Sequence, residues 1–324
     1  KTPREQPPAP RSASSTRTAR RGRAPASAPE EPPLRHALRP SRRPPGAYRH
    51  VNVGTTLATV IQSLGATPME PVSPDLERRF TTLRWFNIVI GLILAAQAVV
   101  MGILMKDFSL DVVATYMTGP PGSPQELTTI GSLSIGWGVL AFVIISAAAL
   151  LIIGTVAFRW YTDNLREERN YGRWIEYFFS SSIMIVLIAM LTGITEVAAL
   201  MAIFGINASM ILFGLLQEKY ERPGSGNWLP FLFGCFAGIV PWLAVLVYVW
   251  APGETSGAEP PGFVYGIIVS LFLFFNVFAL NMLLQYRRVG PWRDYLFGEK
   301  VYVILSLTAK SALAWQVFFP VLMD

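Results

Sequence analysis

The sequence predicts an all-α membrane protein with seven transmembrane helices. Of its 324 residues, 52% are hydrophobic and only 15% are charged, whereas an ordinary soluble domain carries about 25% charged residues. Seven apolar stretches each come close to the roughly 20 residues that cross the hydrocarbon core of a bilayer. The loops between them alternate between basic and nearly uncharged. Together these observations exclude an ordinary soluble globular protein.

The apolar stretches are too long for strands, and a spanning segment must satisfy its own backbone hydrogen bonds, so each is predicted to be a helix. They lie at about 84–105, 130–158, 173–194, 197–217, 228–250, 262–286 and 300–321. A helix-breaking link at 192–195 divides the third from the fourth. The long loop at 106–129 contains a strand-like run at 111–117 before the turn residues 119–122, which predicts a small β-hairpin.

Loop charges predict the orientation of the bundle. Basic residues occur in the loops after the second, fourth and sixth spans: Arg159, Arg166, Arg169 and Arg173; Lys219 and Arg222; Arg287, Arg288, Arg293 and Lys300. The other loops are almost bare, with only Lys106 in the first. Because short basic loops stay inside, the N-terminus is predicted in the cytoplasm and the C-terminus outside, with the hairpin in the first extracellular loop.

The chain divides into a tail at 1–75 and a seven-helix domain at 80–324. Residues 1–50 hold twelve basic and three acidic residues and are rich in Pro, Ala and Arg, which predicts a disordered cytoplasmic segment. Its charge could attract anionic lipid of the inner leaflet, while a solvated arm and a docking site for a soluble signalling partner remain alternatives. Nucleic-acid binding is disfavoured, because the tail has almost no base-stacking aromatics. One cysteine and two tail histidines, His36 and His50, predict no metal site.

Two ionisable residues stand out as deep in the bilayer. Lys310 lies about 15 Å along its helix from Lys300, too far to reach water cheaply. Glu176 lies near the inner third of the third span. A buried cation and a buried anion on different helices are most simply a pair. The pair is either an interhelical clasp, as in transporters, or a lysine that forms an imine with an aldehyde while the glutamate balances its charge.

The residues around this pair favour a ligand. Ser306 and Ser180 lie one helical turn from Lys310 and Glu176 respectively, so each shares a face with its charged neighbour. Three further helices, together with the helix of Lys310 itself, are expected to form an apolar slot with some polar groups. The predicted pocket residues are Asn207, Met210, Ile211, Gly214, Gly238, Pro241, Phe278 and Trp315. Met adapts to irregular apolar ligands, Gly leaves space, and Pro241 predicts a kink.

The segments 173–184, 204–214, 281–286 and 305–315 resemble the heliorhodopsin family of seven-helix retinal proteins, over about residues 80–324. The resemblance implies a rhodopsin-like bundle with inverted topology in the plasma membrane. It also implies all-trans retinal as a Schiff base on Lys310, Glu176 as counterion, Gln97 as a polar residue of the first helix, and a homodimer. The family commonly has histidines on helices one and two, whereas this chain has Leu94 and Leu150 there, so a histidine proton acceptor is not expected.

These observations predict a light-absorbing sensor or regulator, not an enzyme and not a proton pump. A pump needs a relay of titratable groups, but the successive turns beyond Glu176 present Ser180, Ile183 and Leu187. Glu196 is expected to be interfacial. A light-gated ion or proton channel is the first alternative, because polar groups could line a wet path. A non-retinal membrane transporter is the second.

Overall fold

The computed structural model describes residues 73–256 and 262–319. The predicted tail at 1–75 falls almost entirely outside these residues, as do positions 320–324. Within the described part of the chain, seven long helices are present, as predicted. They are α1 (Pro74–Leu104), α2 (Ile135–Gly154), α4 (Tyr171–Leu191), α5 (Val197–Tyr220), α6 (Leu229–Ser256), α7 (Gly262–Tyr286) and α8 (Tyr295–Val317). The short helix α3 (Phe158–Arg166) lies between α2 and α4, and a 3₁₀ turn (Gly290–Arg293) precedes α8.

Six of the long helices are apolar enough to cross a membrane. Among the seven long helices of the described residues, the exception is α8. Its mean hydropathy is lowered by Glu299, Lys300 and Lys310. Its 23 residues still extend about 34 Å, which is the length of a transmembrane helix. Two of the charged residues of α8, Glu299 and Lys310, face inward and are buried. Composition alone therefore understates this span.

The predicted β-hairpin is present and longer than expected. Strands β1 (Ser109–Met117) and β2 (Gln125–Ser134) pair antiparallel, with a bulge between Val112 and Val113. The Val113 amide donates to the carbonyl of Thr195, which ties the hairpin to the link before α5. Strand β2 also takes the first residues of the predicted second span, and α2 begins at Ile135 because the Ser134 hydroxyl caps it. The end of the bundle that carries this hairpin is called the hairpin end.

Two features at the opposite end of the bundle differ from prediction: the start of one helix and the presence of another. α1 begins ten residues early, at Pro74, because Ser73 caps it and proline suits the first turn. α3 was not predicted, since it is short and strongly amphipathic and buries only Tyr161, Thr162 and Leu165. Burial raises the pKa of the Tyr161 phenol. This end holds the arginines of the α2–α4 and α7–α8 connections and is called the arginine end.

Candidate functional site

The buried charges Lys310 and Glu176 form an ion pair in the interior of the bundle. Lys310 Nζ lies 2.8 Å from Glu176 Oε1, and the two residues are only 3% and 7% exposed. The Lys310 ammonium also lies 5.0 Å from the centre of the Tyr177 ring, within the range of a cation–π contact. This desolvated charge pair therefore joins α8 to α4, as the sequence predicted.

Two serines complete this polar centre. The Lys310 ammonium donates to Ser306 Oγ at 2.6 Å, one turn earlier on α8. On the other side, Ser146 Oγ of α2 lies 2.6 Å from Glu176 Oε1 and donates to it. Ser146 was not singled out from the sequence. It lies one turn before Leu150, the position on α2 where the resemblance led us to expect a histidine. Ser180 is buried but its hydroxyl has no protein partner.

An apolar slot extends from Lys310 towards the arginine end. It consists of two adjoining cavities that share the side chains of Tyr177, Met210, Ile211, Phe275 and Phe278. The first cavity reaches Lys310, Ala309 and Ser180. The second continues past Gly214 to Trp174 and Tyr302. Since Tyr302 and Lys310 are eight residues apart on α8, the slot is about 12 Å long in the helix direction.

The two predicted glycines leave room for side chains. A Cβ at Gly214 would overlap the Trp174 ring, and one at Gly238 would lie 2.5 Å from Met210 Sδ. Gly214 lines the slot, but the space it creates is filled by Trp174. Phe278 packs edge-on against Tyr177 at 5.3 Å between ring centres, so these aromatic side chains fix the width of the slot.

Four other predicted residues lie away from the lining of the slot. Asn207 is buried and donates to the hydroxyls of Ser181 and Ser182, so it joins α5 to α4. Pro241 is buried within α6, which is helical on both sides of it. Trp315 packs against Phe318 near the end of α8. The Gln97 side-chain oxygen of α1 is buried without a protein partner.

The prediction that only two ionisable residues lie deep is wrong. Arg173, Glu218 and Glu299 are also buried, at 6%, 3% and 0% exposure, and they join α4, α5 and α8. The Arg173 guanidinium bonds Glu218 Oε1 at 2.7 Å through one nitrogen and Glu299 Oε1 through another. These three residues are called the arginine cluster. From the sequence, Arg173 was assigned to a loop and neither Glu218 nor Glu299 was singled out, because each of the three neighbours the predicted end of a span. They are buried because α5 and α8 extend further than predicted.

Comparison with known proteins identifies the family. A family model described as Heliorhodopsin matches residues 83–322. Among solved structures, the chain is similar to cyanorhodopsin N4075R from the cyanobacterium Tolypothrix sp. NIES-4075, with 14% identity, 74% of this chain and 92% of that chain covered, and a TM-score of 0.48. It is also similar to the light-driven proton pump LR (Mac) from Leptosphaeria maculans, with 13% identity, coverage of 74% and 93%, and a TM-score of 0.46. No curated protein matches significantly.

Proposed function

Since the chain belongs to the heliorhodopsin family, we propose that it is a photosensory or regulatory retinal receptor and neither a proton pump nor an enzyme. The family is one of light-absorbing membrane proteins with a retinal chromophore. The observation that carries the proposal is the Lys310–Glu176 pair at the end of an apolar slot. An interhelical clasp needs no such slot, whereas a covalently bound polyene does.

The residues present fit retinal. Its aldehyde requires a lysine nitrogen, and Lys310 Nζ lies at the wall of the slot. Its chain requires an apolar lining, which Met210, Ile211 and Phe278 supply. When bound to Lys310 as a protonated Schiff base, expected all-trans in the dark, retinal supplies visible absorption and isomerisation about a double bond.

Each polar side chain then has a defined task. Glu176 balances the positive charge on the Lys310 nitrogen, because their separation of 2.8 Å in a dry site makes the attraction strong. Ser306 is the second acceptor within reach of that nitrogen, and the carboxylate is the stronger one because it is charged. Ser146 holds Glu176 in place by donating a hydrogen bond to its Oε1. A change at the nitrogen therefore alters the contacts among α8, α4 and α2.

The distribution of buried carboxylates supports a receptor over a pump. Among the described residues, the buried carboxylates are Glu176, Glu218 and Glu299, and all three lie between Lys310 and the arginine end. On the hairpin side, Glu196 caps α5 by accepting from the Ala199 amide at 2.8 Å. A proton that leaves Lys310 thus has no relay of buried acids towards the hairpin end, and pumping requires one.

Placement in the cell follows from the loop charges. We propose that the arginine end faces the cytoplasm and the hairpin end faces outward, in the plasma membrane, because basic loops are retained inside. In this orientation the basic tail at 1–75 is on the cytoplasmic side, where a solvated arm, contact with anionic lipid and docking of a signalling partner are the alternatives. The domain at 80–324 carries the retinal site and functions as a homodimer.

Retinal reconstitution tests the proposal. After all-trans retinal is added to the purified apoprotein, we expect a visible absorption band that survives washing. Reduction with borohydride followed by peptide mass spectrometry should place the adduct on Lys310. K310A should form no band, while K300A, on the same helix, should form it normally. Absence of a band in the wild type, or an adduct elsewhere, would contradict the proposal and favour a transporter.

The light-gated channel is the second candidate, and voltage clamp separates it from the receptor. The observation that favours it is the set of polar groups between the counterion and the arginine end, where Glu176 and Glu299 face one cavity. A receptor gives no sustained current during illumination. A steady current that reverses with the ion gradient would replace the receptor by a channel.

A further inference from the structure

A third cavity connects the two buried charge groups. Its walls include Glu176 and Ser306 at one end and Arg173, Glu299, Asn170 and Tyr161 at the other. It therefore runs from the polar centre around Lys310 to the arginine cluster. Glu299 and Ser306 are seven residues apart on α8, or about 10 Å. A proton can cover that distance only through intervening molecules.

Unpartnered polar atoms indicate that water fills this cavity. The Arg173 Nε is buried and has no hydrogen-bond partner in the protein. The Tyr161 and Tyr302 hydroxyls are also buried without a hydrogen bond of good geometry, with Asn87 and Asn281 respectively as their nearby polar neighbours. All three residues line this cavity. Buried polar atoms in folded proteins are nearly always satisfied, by ordered water where protein groups are lacking. The cavity thus has both the polar partners and the position of a water chain.

With both of its carboxylates ionised, the arginine cluster carries one net negative charge. It holds one guanidinium and two carboxylates, while the Lys310–Glu176 pair is balanced by itself. Burial of a net charge is unfavourable, so the cluster gains from taking up a proton. The geometry also distinguishes its two acids.

The two carboxylates differ in the number of hydrogen bonds that they accept. Glu218 accepts four hydrogen bonds, two on each oxygen, from Arg173, Tyr295, Trp174 and the Asn170 amide. Glu299 accepts only two, from Arg173 and from the Asn170 side chain. Glu299 also lines the cavity, whereas Glu218 does not.

We propose that Glu299 is the internal acceptor of the proton released from the Lys310 nitrogen after illumination. The inference rests on the proposed function. An N–H bond at Lys310 breaks, protons shift along Glu176 and the cavity water, and an O–H bond forms at a Glu299 oxygen. The cluster passes from one net negative charge to none, and the proton returns by the same route. No co-reactant is needed, and no net transport results.

Infrared difference spectroscopy on the retinal-loaded protein tests this. Illumination of the wild type should produce a carbonyl band of a newly protonated carboxylic acid. E299Q should lose this band. A band that persists in E299Q would overturn the assignment. If no visible pigment forms at all, the proposed function itself has failed; if pigment forms and cycles without this band, only the present inference has.

The apoprotein provides a readout that does not depend on the chromophore. An acceptor must be ionised in the dark, so the infrared spectrum of wild type minus E299Q apoprotein at neutral pH should contain a carboxylate band. A carboxylic acid band in its place would refute the proposal, because an acid that already holds its proton cannot accept another. Thermal unfolding of both apoproteins establishes that E299Q is folded.

A second variant leaves every charge intact. Ala149 lines the cavity without a polar group, so A149L should displace water and interrupt the chain. We expect the acid band to rise at least tenfold more slowly in A149L, with the dark absorption band unchanged. An unaltered rise would show that the proton does not travel through this cavity and would overturn the proposal.

Discussion

Replacement of Ser146 by Ala tests how the counterion is held. The Ser146 hydroxyl has one proton and two acceptors in range, the Phe142 carbonyl at 2.8 Å and Glu176 Oε1 at 2.6 Å. The proton goes to the carboxylate, since hydrogen bonds to charged acceptors are the stronger ones. Such a bond contributes about 1.5–3 kcal/mol. S146A therefore removes a hydrogen bond of that strength from the Glu176 carboxylate.

The consequence is a shift in the first step of the proposed relay, in which the proton passes from the Lys310 nitrogen to Glu176 before it moves on to Glu299. Because 1.4 kcal/mol corresponds to a factor of ten, S146A should favour this first transferred state by roughly ten- to a hundredfold. Flash spectroscopy measures this as a larger early population of the near-ultraviolet-absorbing form, before the carboxylic acid band of Glu299 has risen. S180A is the matched control, because Ser180 lies one turn from Glu176 and its buried hydroxyl has no protein partner.

The outcome that refutes this reasoning is specific. If S146A changes that population less than twofold, the Ser146 hydroxyl donates to the Phe142 carbonyl of its own helix and not to Glu176. If S180A changes it as much as S146A does, the effect arises from altered cavity water and not from the hydrogen bond to Glu176.

Three other substitutions give separate tests. E176Q removes an attraction of about 6 kcal/mol at 2.8 Å with an effective dielectric constant of 20, so the dark absorption band should move to longer wavelength; an unmoved band would mean another counterion. R173Q leaves two buried carboxylates without their cation and should cost about 3–5 kcal/mol, measured as a lower unfolding midpoint of the apoprotein. G214A should destabilise because the added Cβ overlaps Trp174, while G205A, whose Cβ meets nothing within 4 Å, should stabilise slightly. Equal midpoints for the two glycine variants would contradict the close packing inferred at Gly214.

Most of the fold could be predicted because bilayer thickness constrains the length of every spanning helix. All seven spans were recognisable from the length of their apolar stretches, and the hairpin from its strand and turn residues. α3 was missed because a helix of nine residues with arginine, aspartate and asparagine resembles a loop in composition. The early start of α1 was missed because its first turns, from Pro74 to Arg84, are charged and extend beyond the apolar run.

The candidate site was predictable only where a charge interrupts an apolar run. Lys310 and Glu176 stood out for that reason, and the structure brings them together. Glu299 and Glu218 were overlooked because each precedes a lysine at the end of a span, where charges ordinarily meet water. The Asp294 side chain caps α8 by accepting from the Leu296 amide at 3.0 Å, and this cap was the available signal that the helix begins before Glu299.

The two charge networks are coupled through one turn of α4. Arg173 and Glu176 are three residues apart and share a face of that helix; Glu176 holds Lys310 of α8, while Arg173 holds Glu218 of α5 and Glu299 of α8. Displacement of α4 at Glu176 must therefore also strain the contacts of Arg173. Because packed interiors switch between discrete arrangements more readily than they deform, a change at the Lys310 nitrogen is transmitted to the arginine end. That is the end where a receptor of the proposed orientation would meet a cytoplasmic partner.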